Sequence, residues 1–343
     1  MDRLYGFIEN LTSYAGVSGF ESMAFDELKQ YIDSLNIFDE TAETPVGSFY
    51  GIMRCGKKDA PLVLCDAHLD TVGFVVTEIC NGGFLKVAPI GKIAPKILPS
   101  SVVNVYGKET LKGIFVSTPP HLQSAGESEK KLDVCDMAID TAISFERLNE
   151  LVRIGTPVGF LCKLKKLLGN TLVGASFDDR LCAAAILYAL TSLDKNELDV
   201  DVAFQFSGNE ETGYKGAMTT AYGLNPDKAI VVDVTHSYVP GAPKVREGIK
   251  AGNGVDICFS PQTNRNFTKY AVDIAEKHGI KYQLSAAPVR TGTNSNAVQT
   301  TRNGIPTLLV SIPLKNMHTM SEIVDLNDVL AASSLISALL KSL

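Results

Sequence analysis

The stretch Pro61-Leu62-Val63-Leu64-Cys65-Asp66-Ala67-His68-Leu69-Asp70 opens as a short apolar run and ends in two side chains able to bind a cation or move a proton. Such a run is expected of a strand buried on both faces, and polar residues at its end fall where open α/β sheets gather ligands. Similar runs recur at 202–206, 229–234 and 306–312, alternating with helical patterns at about 179–193, 266–278 and 328–340. The alternation predicts an α/β fold. Upstream, a helix is expected to Tyr14, then a Gly16-Val17-Ser18-Gly19 turn and an amphipathic helix over about 21–35.

Between about 71 and 169 the pattern changes to short β pieces at 73–79, 84–87, 102–106, 113–116 and 159–162, with one helical stretch near 144–152. Because α/β pattern lies on both sides, this segment is expected to be an inserted β-rich domain spanning 71–169, within a discontinuous domain made of 1–70 and 170–343. The polar loop 117–131, with Pro119-Pro120, is expected to be mobile.

A chain of 343 residues that is 45% hydrophobic has length for about two domains and a large core. Net charge is −6 without a basic block, which argues against a nucleic-acid partner. Seven scattered cysteines without a C-x-x-C suit a reducing compartment. No apolar run approaches the ~20 residues that cross a bilayer, so no membrane partner and a cytoplasmic location are expected.

Among five histidines, His68 and His318 stand out. Strand periodicity places His68 and Asp70 on one face, where Asp70 would orient the imidazole. His318 lies just beyond the run at 306–312. Acidic groups fall at comparable places: Asp178-Asp179, Glu210-Glu211 and Asp233. Asp178 also suits a helix N-cap, and Glu210-Glu211 a solvated turn. Asp233 ends so apolar a run that its carboxylate needs a cation or several donors nearby. Together these types can form an oxygen and nitrogen site for two divalent metals. Two cations would balance three ligand carboxylates and a bridging hydroxide, leaving the adjacent fourth carboxylate free to move protons.

The ordered set Gly16-Val17-Ser18-Gly19-Phe20-Glu21, Ala67-His68-Leu69-Asp70 with Val72-Gly73-Phe74, Phe177-Asp178-Asp179-Arg180, Glu210-Glu211-Thr212-Gly213, Val232-Asp233-Val234-Thr235, Gly292-Thr293-Asn294 and Met317-His318-Thr319 resembles the M42 family of metallo-aminopeptidases. That family includes glutamyl and deblocking aminopeptidases and some members labelled endoglucanase. The resemblance implies a mixed-sheet zinc-peptidase (phosphorylase/hydrolase-like) catalytic domain with an inserted small β-barrel for oligomerisation, in assemblies from dimer to dodecamer. It also implies two Zn²⁺ or Co²⁺ ions, with His68 and Asp233 on one, Glu211 and His318 on the other, and Asp178 bridging.

On the same resemblance, Glu210 is the general base for a metal-activated water that hydrolyses the peptide bond after the N-terminal residue. Asp70 joins it as a catalytic residue, and Gly292, Thr293 and Asn294 are expected to meet the peptide substrate. Three departures from the family pattern, Thr71 after Asp70, Lys315-Asn316 before the last histidine and Thr293-Asn294-Ser295, leave the side-chain preference open. The alternatives are another co-catalytic metal amidohydrolase, such as a deacylase or carboxypeptidase, and a catalytically weak assembly or binding protein. An endoglucanase would need two carboxyl groups free of metal, and is disfavoured.

Overall fold

The computed structural model describes residues 1–122, 131–241 and 248–343. Residues 123–130 of the loop expected to be mobile lie outside the described residues. Helix α1 (Asp2–Ser13) buries Leu4, Phe7, Ile8 and Leu11, which recur at helical spacing. The helix expected from 21 is split, a 3₁₀ turn (Glu21–Ala24) preceding α2 (Phe25–Leu35). Glu21 is buried there, its carboxylate accepting the amides of Gly19 at 2.9 Å and Asn209 at 2.8 Å, so tertiary contacts set the entry to the helix.

The edge strand β1 (Glu40–Glu43) and its neighbour β2 (Phe49–Met53) precede β3 (Leu62–His68). Beyond β3 come β4 (Gly73–Cys80), β5 (Phe84–Ile90), β6 (Val102–Tyr106), β7 (Thr110–Val116), β8 (Ala138–Asp140), α3 (Phe145–Leu151) and β9 (Pro157–Phe160). Six of these strands close into an antiparallel barrel in the order β4-β5-β8-β7-β6-β9. Alternate residues fill its interior, among them Phe74, Val103, Phe115, Ile139 and Val158. The barrel starts at Gly73, where an added Cβ would lie 2.7 Å from the Val158 carbonyl, so glycine allows the chain to turn from the sheet into it.

The chain returns through β10 (Lys165–Lys166) and β11 (Thr171–Gly174), which pair with each other in the larger sheet. There follow α4 (Phe177–Leu190), β12 (Asp201–Ser207), α5 (Lys215–Leu224), β13 (Lys228–His236), β14 (Val255–Phe259), α6 (Arg265–Lys277), β15 (Tyr282–Ala286), α7 (Ser295–Val298), β16 (Thr307–Lys315), β17 (Glu322–Asp325) and α8 (Leu326–Leu340). Among the described residues the larger sheet has eleven strands, in the order β1-β2-β12-β3-β13-β16-β17-β11-β10, with β14 on β16 and β15 on β14. Its centre, β12-β3-β13-β16, is parallel, and the outer pairs are mostly antiparallel.

Parallel pairing brings the carboxyl ends of four central strands to one edge. Ser207 lies opposite His68, and Asp233 opposite Ser311. Helix α4 is buried almost throughout, with alanines at 183–185 letting it sit close on the sheet. Arg180 in its first turn is 1% exposed and donates to the carbonyls of Leu11, Tyr14 and Leu69, tying the end of α1 to the segment leaving β3. A guanidinium with carbonyl acceptors can stay charged where an unpaired one could not.

Candidate active site

Both singled-out histidines use one ring nitrogen to fix their orientation. His68 Nδ1 donates to the backbone carbonyl of Asp70 at 2.8 Å, and His318 Nδ1 to that of Lys92 at 2.8 Å. A carbonyl only accepts, so each Nδ1 carries the hydrogen and each Nε2 is turned inward. His68 Nε2 lies 3.0 Å from Asp178 Oδ1, and His318 Nε2 lies 3.1 Å from Asp178 Oδ2 and 3.2 Å from Glu211 Oε1. Asp178 therefore presents one oxygen to each imidazole.

Two groups of ligand atoms meet at that carboxylate, each drawn together within 4.8 Å. One is His68, Asp178 and Asp233, the other Asp178, Glu211 and His318, and a third group joins His68, Glu210 and Glu211. Asp178 does not serve as a helix cap: α4 has no side-chain cap hydrogen bond, and the two Asp178 oxygens face His68 and His318 instead. Glu210 is buried rather than placed in a solvated turn, and Asp233 is buried with the Val234 amide donating to its Oδ1 at 2.7 Å.

The electrostatics of these side chains call for added positive charge. Burial pushes the carboxyls of Glu210 and Asp233 well above the usual range, and charge on neighbouring carboxylates adds to the shift. Glu211 is raised mainly by burial as well. Burial also opposes charge on Asp178, yet the His318 and His68 N–H groups outweigh it and hold its carboxyl low. Desolvation would lower both imidazoles; hydrogen bonds and charge from the acidic groups drive His68 well up and His318 up to about 11. A pocket that draws protons onto histidines this strongly also suits divalent cations. The donor set, imidazole Nε2 and carboxylate oxygen with each imidazole held from behind, fits Zn²⁺ or Co²⁺.

Asp70 orients His68 through its carbonyl, whereas its carboxylate stands 3.7 Å from Nδ1 and serves a different task. Its Oδ1 and Oδ2 accept the amides of Glu210 at 3.0 Å and Glu211 at 3.2 Å, fixing the turn after β12. Asn294 is 1% exposed and lies behind the ligands, donating to Asp66 Oδ2 and Ser207 Oγ at 2.8 Å. Thr293 is buried in hydroxyl contacts with Thr291 and Ser295, and Gly292 (φ 78°) forms the preceding turn.

Two further acidic residues brace the ligands: Asp179, marked in the sequence beside Asp178, and Glu322, which the strand-end pattern does not mark. Asp179 accepts the His68 amide at 3.1 Å. Glu322 takes the amides of Phe177 at 2.7 Å, Asp178 at 3.3 Å and His318 at 2.9 Å, so one carboxylate braces two ligand segments. Burial, then the Asp178 charge, pushes its carboxyl up to about 8. Only the four-residue interval from His318 hints at Glu322 in the sequence. A cavity of about 330 Å³ opens beside Asp178, Glu211 and His318, walled by Tyr14, Tyr106 and Phe160.

Residues 47–335 match the family model of M42 glutamyl aminopeptidases. A lysyl aminopeptidase of Pyrococcus furiosus is 30% identical over 332 residues, covering 96% of this chain and 94% of its own. Among solved structures, a TET aminopeptidase from a marine sediment thaumarchaeote superposes with a TM-score of 0.93 at 28% identity, covering 100% of this chain and 97% of the other. The Pyrococcus horikoshii TET1 peptidase, described as assembling into a tetrahedron or a large octahedral shell, gives 0.84 at 28% identity, with 99% and 100% covered. With the sheet, the barrel and this end-to-end likeness, the chain belongs to the M42 family of aminopeptidases and is a peptide-hydrolysing enzyme.

Proposed function

We propose that this chain removes the N-terminal residue of peptides at a pair of divalent ions, Zn²⁺ or Co²⁺. The observation that carries this reading is the Asp178 carboxylate, shared by two ligand groups whose histidines are both held by backbone carbonyls. His68, Asp178 and Asp233 would hold one ion, and Asp178, Glu211 and His318 the other. When bound, the ions supply an acidified water and polarise the scissile carbonyl. Glu210 takes the proton from the attacking water and returns it to the leaving amine. Asp70 keeps Glu210 in place through its backbone amide.

The barrel segment, 71–169, is assigned to oligomerisation, with 1–70 and 170–343 as the catalytic domain. Support comes from the assemblies named for the Pyrococcus horikoshii relative and from Ile154, between α3 and the barrel strand β9, which is 72% exposed. Such apolar surface suits an interface. No helix among the described residues is long and apolar enough to cross a membrane. Seven cysteines, none of them in a disulfide, support the cytoplasm as the location proposed.

The test is hydrolysis of aminoacyl-p-nitroanilides compared with N-acyl amino acids, before and after chelation. The expected result is release of nitroaniline that chelation abolishes and Zn²⁺ or Co²⁺ restores, with N-acyl amino acids untouched. Turnover of N-acyl amino acids alone, or anilide hydrolysis surviving full metal removal, would refute the reading.

A further inference from the structure

The row of side chains that reaches Asp233 continues across the sheet. Asp233 lies opposite Ser311 on β16, and Ser311 lies opposite Asp256 on β14, so all three project from the same face. Two strand spacings separate Asp233 from Asp256, or about 10 Å. Asp256 borders a cavity of about 490 Å³ whose walls also include Cys258, Leu309, Ser285 and Thr293. It is the one acidic residue lining that cavity among the described residues, and it is 2% exposed. Ser285 Oγ donates to Asp256 Oδ2 at 2.7 Å, while Oδ1 has no hydrogen-bond partner among the described residues.

A buried carboxylate oxygen without a donor is costly, and an incoming cation would repay that cost. Burial pushes the carboxyl up to about 6, with Ser285 pulling the other way. The peptide's α-amine, adjacent to the scissile carbonyl, cannot reach a group about 10 Å from the ligand row. A lysine side chain, roughly 6 Å long when extended, can end within hydrogen-bond distance of it. His236 and Arg290 also line the cavity, but both are exposed, whereas Asp256 is buried.

We propose that this cavity receives the side chain of the peptide's first residue and that Asp256 selects a long cationic one, lysine or arginine. The proposal rests on the aminopeptidase reading, and the test separates the two. Lysyl-p-nitroanilide should exceed its uncharged counterpart norleucyl-p-nitroanilide in kcat/KM by about ten- to a hundredfold, the usual worth of a hydrogen bond to a charged group. D256N should lower the lysyl-to-norleucyl ratio at least tenfold. Equal rates for the two substrates, a preference for glutamyl-p-nitroanilide set by Arg290, or an unchanged ratio in D256N would each overturn the proposal. The wild-type comparison decides the matter whether or not D256N folds.

If the metal-loaded enzyme hydrolyses none of these anilides, the aminopeptidase reading fails. Product binding then tests the cavity by itself. Free lysine raising Tm more than norleucine supports it, and equal shifts overturn it.

Discussion

Glu210→Gln retains two metal ions per chain and loses turnover by about 10²–10⁴ in kcat, the ordinary worth of a positioned acid–base group. The amide has nearly the shape of the carboxylate, and the backbone contact that seats this turn, Glu210 N to Asp70 Oδ1 at 3.0 Å, does not involve the altered side chain. What disappears is the ability to accept a proton from water and return it to the leaving amine. Metal content by elemental analysis and kcat on one aminoacyl-anilide are the two readouts. Full activity would remove Glu210 as the base. Loss of an ion alongside the rate would make it a ligand, the role its grouping with His68 and Glu211 leaves as the competing assignment.

Asp178→Ala has the larger effect on binding. Each carboxylate oxygen of Asp178 faces a different histidine, at 3.0 and 3.1 Å, so removing it strips a ligand from both groups at once. Metal content of the desalted protein should fall from two per chain toward zero, with hydrolysis falling alongside. Glu211→Ala alters only one of the two groups that share Asp178 and should leave one ion behind. Two ions retained in Asp178→Ala would mean the carboxylate does not bridge. Thermal unfolding of both variants separates loss of metal from loss of fold.

The central strands were readable because burial on both faces writes a continuous apolar run. Leu62–His68, Asp201–Ser207, Lys228–His236 and Thr307–Lys315 each overlap a run expected from sequence, two of them starting one residue later, after Pro61 and Pro306. The strands without a clear signal lie further out. Glu40–Glu43 is a short edge strand with polar residues, and Tyr282–Ala286 carries Gln283 and Ser285. Val255–Phe259 is interrupted by Asp256, a buried acid that breaks the apolar pattern of the strand holding it.

The ligand types could be listed from strand ends, but their grouping could not. Which oxygen of Asp178 faces which imidazole depends on where Glu322 and Asp179 pin the backbone, and those contacts join residues more than a hundred positions apart. Asp70 shows the same limit. Strand period placed it beside His68, yet the contact to the ring runs through its carbonyl, because its carboxylate accepts two amides from the turn after β12.

Anomalous diffraction from zinc-soaked crystals tests the shared-carboxylate centre most directly. Two peaks about 3.5–4 Å apart are predicted, one bonded to His68 and Asp233, the other to Glu211 and His318, with Asp178 between them. A single peak, or two peaks that do not share Asp178, would contradict it.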